Sequence, residues 1–122
     1  MQFISENGFS VRVGRQEACQ RWLEANEARM ASSYPEGTEF LGIYVSVYTS
    51  EKTAGAYRVL ERLSSYADID RLAALAKDET SEYAKVRREF NQFIDPDPHA
   101  DWSQTLLKRA TDATILDVEP VE

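Results

Sequence analysis

Three groups of residues in this chain have types and spacings that could do chemistry: one histidine, one cysteine, and tyrosines and arginines set around a strand-like segment. His99 is the sole side chain whose ordinary pKa lies near neutrality, so a proton-transfer step at neutral pH would look to it first. It sits in Asp95-Pro-Asp-Pro-His-Ala-Asp101, beside several carboxylates. A lone histidine among scattered aspartates falls short of a ligand set for a metal, so no metal site is assigned. The plainer reading is a solvated loop in which Asp101 or Ser103 caps a helix. Cys19 falls on an apolar helical stripe. A nucleophilic thiolate needs an electropositive, partly open setting, so Cys19 reads as core packing.

The ligand-binding candidates are Arg12, Tyr44, Ser46, Tyr48 and Arg58. Phenols and guanidinium groups facing a cavity orient a carboxylate, phenol or quinone-like ligand through hydrogen bonds. Glu61 is a further candidate on the same segment as Arg58. The competing reading is that the tyrosines fill a subunit interface, where amphipathic rings are common. The two readings are compatible. No catalytic residue is assigned, and no reaction is dictated. Glu82, Arg87, Arg88 and Glu89 read as a solvated helix face, and Trp22 and Trp102 as core anchors.

These candidates are carried by Thr38-Glu-Phe-Leu-Gly-Ile-Tyr-Val-Ser-Val-Tyr48, which alternates aliphatic residues with aromatic, tiny or hydroxylated ones. Strand side chains point alternately to opposite faces. Leu41, Ile43, Val45 and Val47 would then pack against helices. Phe40, Gly42, Tyr44, Ser46 and Tyr48 would share the other face with Ser10 and Arg12.

The bulk composition restricts the possibilities further. The chain has 122 residues, 43% hydrophobic and 29% charged, with net charge −7 and pI about 4.8. That is one soluble domain rather than a disordered chain. Basic residues are dispersed, which argues against nucleic acid and against an anionic membrane surface as partners. No apolar run approaches the ~20 residues that span a bilayer. A single cysteine and a start without the basic and apolar regions of a signal peptide make a cytoplasmic location the expectation. GxGxxG, P-loop, CxxC and HExxH motifs are all missing, so no cofactor is expected.

Along the chain, alternation at Phe9, Val11 and Val13 predicts a first strand starting near Gly8, with Asn7-Gly8 as a turn or bulge. Helical spacing follows from Arg15 to about Ser33 and ends at Tyr34-Pro-Glu-Gly37. The segment 38–48 and residues 56–63 predict an antiparallel hairpin. A second helical region carries Ile69, Leu72 and Ala76, then Tyr83, Val86, Phe90 and Phe93, with residues 77–81 dividing it. Asp95-Pro-Asp-Pro98 breaks the chain. Trp102, Leu106 and Ala110 predict a short helix, and Ala113 to Val118 a final strand. Residues 1–118 form the domain, and residues 119–122 an acidic tail.

The order β-α-β-β-α-(α)-β is that of an α+β ferredoxin-like domain, with helices over one face of an antiparallel sheet. Its bare face, aromatic yet polar, would be hidden by a two-fold homodimer. Val11-Arg-Val-Gly14 leading into the Trp22 helix, Gly42-Ile-Tyr-Val-Ser-Val-Tyr48, Arg58-Val-Leu60 and Tyr66-Ala-Asp-Ile-Asp70, with the closing Ala113-Thr-Ile-Leu-Asp-Val118, resemble the dimeric α/β-barrel superfamily. The nearest likeness is to its NIPSNAP-like and small monooxygenase-like members. The resemblance implies a homodimer that binds a small aromatic or apolar metabolite in the sheet lumen. It also implies cofactor-independent monooxygenase- or isomerase-like activity or, alternatively, a non-catalytic dimerisation module. In haem-degrading members an Asn on the first strand, a later-strand Trp and a helical His do the work. Asn7 matches the first, but Trp22, Trp102 and His99 fall elsewhere, so that activity is not implied.

Overall fold

Phe3, Ser5, Asn7 and Phe9 alternate with Ile4, Glu6 and Gly8, and this period of two builds a first strand, β1 (Phe3–Phe9), with Phe3, Ser5 and Phe9 buried. The computed structural model describes residues 2–48, 50, 55–97 and 103–112. Its further elements are α1 (Gln16–Ser32), β2 (Thr38–Val45), β3 (Tyr57–Leu63), α2 (Asp68–Lys77), α3 (Glu82–Asn91) and β4 (Gln104–Lys108). The sheet order is β2-β3-β1-β4, and every neighbouring pair is antiparallel. The helices lie on one face, which makes the α+β ferredoxin-like arrangement.

The strand begins earlier than its sequence pattern predicts. Asn7-Gly8 is neither turn nor bulge, because Asn7 pairs with Val59 and Gln104 and Gly8 with Arg58 on the flanking strands. The regular strand stops at Phe9. Val11 makes only an isolated bridge to Ile94, and Val13 lies 93% exposed in the turn before α1.

α1 buries Cys19 and Met30, α2 buries Leu72, and α3 buries Tyr83, Ala84, Val86 and Phe90. Trp22 stacks on Phe90 with ring centroids 5.8 Å apart, as its core role requires. The helices meet the sheet at Phe9, Phe40, Val59 and Phe93 on one side and at Phe3 and Leu63 on the other. Residues 78–81 divide α2 from α3, and the Ser81 hydroxyl caps α3 by accepting from the Ala84 N–H at 3.1 Å. Arg29 of α1 clamps α3 by donating to Glu82 and, through two nitrogens, to Glu89.

One further expectation is corrected here. Residues 104–108 form the edge strand β4 rather than a helix. The 102/106/110 spacing is helical, but Gln104 to Lys108 also fit the period of two, and the backbone groups of β1 take them as a ladder. The strand expected at 113–118 lies outside the described residues.

The alternating segment is also split. Phe40 pairs with Glu61 and Gly42 with Leu60, so Leu41 is an extra residue, a bulge that reverses the faces. Phe40 is therefore buried under the helices, against Tyr34, rather than on the bare face. Ile43 takes the helix side beyond the bulge. Val45 and Val47 run past the core and are exposed, so the aliphatic face is not continuous.

Candidate functional site

β3 points Val59 and Leu63 into the core, and by the same alternation it points Glu61 there too. A carboxylate on a residue only 4% exposed needs partners, and three elements supply them. Tyr34, just beyond α1, donates its hydroxyl to Glu61 Oε2. Arg87 of α3 donates from Nη2 to the same oxygen at 3.0 Å, to the Tyr34 hydroxyl at 2.8 Å and to the Tyr83 hydroxyl at 3.0 Å. Asn7 of β1 donates from Nδ2 to Glu61 Oε1 and to Ser5 Oγ, each at 3.2 Å.

Tyr83, Arg87 and Asn91 recur at intervals of four, so one stripe of α3 carries all of them. The Arg87 guanidinium lies 5.1 Å from the Tyr83 ring centre and 5.8 Å from that of Tyr34, and the rings themselves meet edge to face at 5.2 Å. Burial pushes the Tyr34 and Tyr83 hydroxyl pKa values up against the opposing pull of Arg87, so both phenols stay neutral at physiological pH. Burial alone lowers the Arg87 pKa, but the surrounding oxygens of Tyr34, Tyr83 and Glu61 outweigh it and keep the guanidinium charged.

This cluster borders open space. A cavity of about 290 Å³ lies between the sheet and α2–α3, with Glu61, Tyr83 and Arg87 on its polar side and Leu63, Ile69 and Leu72 on its apolar side. A second cavity, about 310 Å³, lies towards Phe9, Val59, Phe90 and Ile94. Asn7, Arg87, Asn91 and Gln104 line both. Polar donors at the base of an apolar hollow hold and orient a small molecule.

The residues expected to bind a ligand are placed elsewhere. The register sets Tyr44 opposite Arg58 on the sheet face away from the helices. Arg58 there donates to Glu6 at 3.2 Å and to the Tyr57 carbonyl at 2.9 Å, and the Tyr44 hydroxyl reaches the Leu41 carbonyl at 3.4 Å. Ser46 follows β2, where its backbone bonds with Gly55 and Ala56. Tyr48 is 87% exposed. Arg12 is exposed in the turn before α1, its N–H donating to the Phe93 carbonyl at 2.8 Å. The structure thus brings Tyr44 and Arg58 side by side, with Arg12, Ser46 and Tyr48 at the ends of strands.

Sequence reasoning passed over Arg87, which is no part of a solvated face: its side chain is 22% exposed and turned inward. The available signal was its position four residues after Tyr83, on the edge of the apolar stripe. Cys19 is buried, and burial raises its thiol pKa against the opposing effect of Arg15, which suits packing and not nucleophilic attack. Among the described residues no group of His, Cys, Asp and Glu is arranged to hold a metal ion, and no helix is long and apolar enough to cross a membrane. His99 and Trp102 lie outside the described residues.

The architecture is shared with solved proteins. A NIPSNAP family protein from Agrobacterium tumefaciens superposes with a TM-score of 0.59 at 13% identity, covering 88% of this chain and 92% of that one. An uncharacterised NIPSNAP-like domain protein from Burkholderia xenovorans gives 0.59 at 13% identity, covering 90% and 86%. Another Agrobacterium tumefaciens NIPSNAP family protein, of unknown function, gives 0.58 at 15% identity, covering 88% and 86%. No family model and no curated protein matches the chain. At these identities the likeness is one of fold, and in fold the chain resembles the NIPSNAP proteins, as its sequence predicts.

Proposed function

We propose that this chain is a homodimeric small-molecule-binding protein that holds a compact aromatic or apolar metabolite between its sheet and α2–α3. The observation that carries the reading is the buried Glu61–Arg87 pair, networked to Tyr34, Tyr83 and Asn7 at the base of a cavity of about 290 Å³. A buried ion pair is a poor source of stability compared with apolar packing, so its presence beside a cavity favours a role in recognition. If the ligand is also transformed, Tyr83 and Arg87 are the donors that stabilise an enolate-like oxygen, in cofactor-independent oxygenation or isomerisation.

The dimer is supported by the bare sheet face. Ile4 pairs with Leu107, which is 50% exposed, and Tyr44 beside Arg58 is 54% exposed. Such a face gains from being sealed by a second copy. Thermal-shift screening of small aromatic and apolar compounds, repeated on Ala76→Trp, tests the binding site. Ala76 is an exposed α2 residue at the cavity wall, so a bulky ring there should abolish stabilisation by hits while leaving the unliganded melting point nearly unchanged. Hits that stabilise the Ala76→Trp protein equally would refute this site. Sedimentation of Leu107→Glu tests the dimer: a monomer is expected, and an unchanged dimer would refute that interface.

A further inference from the structure

The two cavities share four lining residues, and the chemistry of that shared strip specifies a ligand class. Asn7 and Gln104 pair across β1 and β4, while Arg87 and Asn91 face them from successive turns of α3. On one side the space is walled by Leu63, Ile69 and Leu72, on the other by Phe9, Val59 and Ile94. The result is two apolar lobes that share a polar strip, the waist between them.

The waist has a defined hydrogen-bonding pattern. All the Arg87 hydrogen bonds among the described residues leave from Nη2, so Nε and Nη1 are available as donors. Asn7 shows the opposite sense. A carboxylate only accepts, so the contact with Glu61 fixes the Asn7 Nδ2 donors on Glu61 and Ser5 and leaves Oδ1 as an acceptor. Glu61 already balances the Arg87 charge at 3.0 Å, so a second carboxylate entering the waist would meet a neutral site and a like charge behind it.

We propose that the preferred ligand is an uncharged molecule with two apolar arms joined by a group that both accepts and donates a hydrogen bond, a secondary amide being the simplest example. Its carbonyl accepts from Arg87, its N–H donates to Asn7, and one arm enters each lobe. This rests on the small-molecule reading above and narrows it to a chemical class.

Three probes separate the elements of the proposal: N-benzylbenzamide, its shape-matched ester benzyl benzoate, and the one-armed acid 3-phenylpropanoate. Titration into isotope-labelled protein, followed by amide shifts and calorimetry, reads affinity and location together. The amide should bind about tenfold tighter than the ester, as expected when the ligand covers the half-buried Asn7 acceptor and leaves it unpaired. It should shift Leu72 and Ala73 on one side and Phe90 and Ile94 on the other, and the acid should bind weakest. Asn7→Ala should reduce the amide to the affinity of the ester. Equal binding of amide and ester, tightest binding by the acid, or shifts in a single lobe would overturn the proposal while leaving the cavity a small-molecule site. Failure of all three probes to bind also overturns it, and the Ala76→Trp screen then decides the wider reading separately.

Discussion

Arg87 Nη2 and Glu61 Oε2 sit 3.0 Å apart across the seam between α3 and β3, with the Glu61 side chain 6% and the Arg87 side chain 22% exposed. The pair joins the helical layer to the sheet, and Tyr34 and Tyr83 share the same guanidinium nitrogen. Charges held this far from water depend on one another.

Removing one member therefore strands the other. Glu61→Ala is expected to cost about 3–5 kcal/mol of unfolding free energy, because Arg87 then lacks its counter-charge in a mostly buried position. The double variant Glu61→Leu, Arg87→Met should recover most of that loss. Urea denaturation of both proteins checks the pattern. A double variant no more stable than Glu61→Ala would show that the pair contributes through shape rather than charge.

The bulge in β2 makes its own demand. Gly42 has φ +132°, and a Cβ there would lie 3.1 Å from the Tyr44 ring. Gly42→Ala should destabilise the protein by about 1–2 kcal/mol through backbone strain. Adding Tyr44→Ser relieves the ring contact but not the strain, so less than half of the loss should return in thermal melts.

Acid sensitivity should trace partly to Asp68. Burial raises its pKa, but the Ser64 hydroxyl, the N–H groups of Ser65 and Ser64, and Arg71 outweigh burial and bring it below the ordinary value of 3.8. A depressed native pKa adds stability above the unfolded value, and that stability is lost as pH falls through the native one. Asp68→Asn should thus be less stable than the parent at pH ~7 and converge with it as pH falls through the lowered native value. Urea midpoints across that range measure the convergence, and a gap independent of pH would contradict it.

The alkaline limb should have the opposite sign. Burial raises the Tyr34 and Tyr83 pKa values against Arg87, so the unfolded chain ionises these phenols before the folded one does. The resulting stability is complete below the unfolded tyrosine value of ~10 and declines as pH rises beyond it. Ultraviolet titration should leave part of the tyrosine signal unionised until unfolding. Tyr34→Phe should make the alkaline decline shallower, and an identical slope would argue against it.

Much of the fold was legible because it depends on local pattern. The Cys19–Trp22–Met30 stripe marked α1, Pro35 and Gly37 marked its end, and residues 77–81 marked the division of α2 from α3. The short link after Tyr48 marked the β2–β3 hairpin. The site was far less legible. A side chain such as Arg87 reads as solvated in isolation, and only its packing against Glu61, Tyr34 and Tyr83 reveals a buried charge.

By itself the chain specified helix, strand and turn where hydrophobic period, proline and glycine act within a few residues, and with them the antiparallel α+β order. Tertiary structure decided three things: that Asn7-Gly8 continues a strand, that Leu41 reverses the faces of β2, and that residues 104–108 pair along β1. Each depends on hydrogen-bond partners distant in sequence, and neither propensity nor periodicity encodes which partner a backbone group or a buried charge will meet.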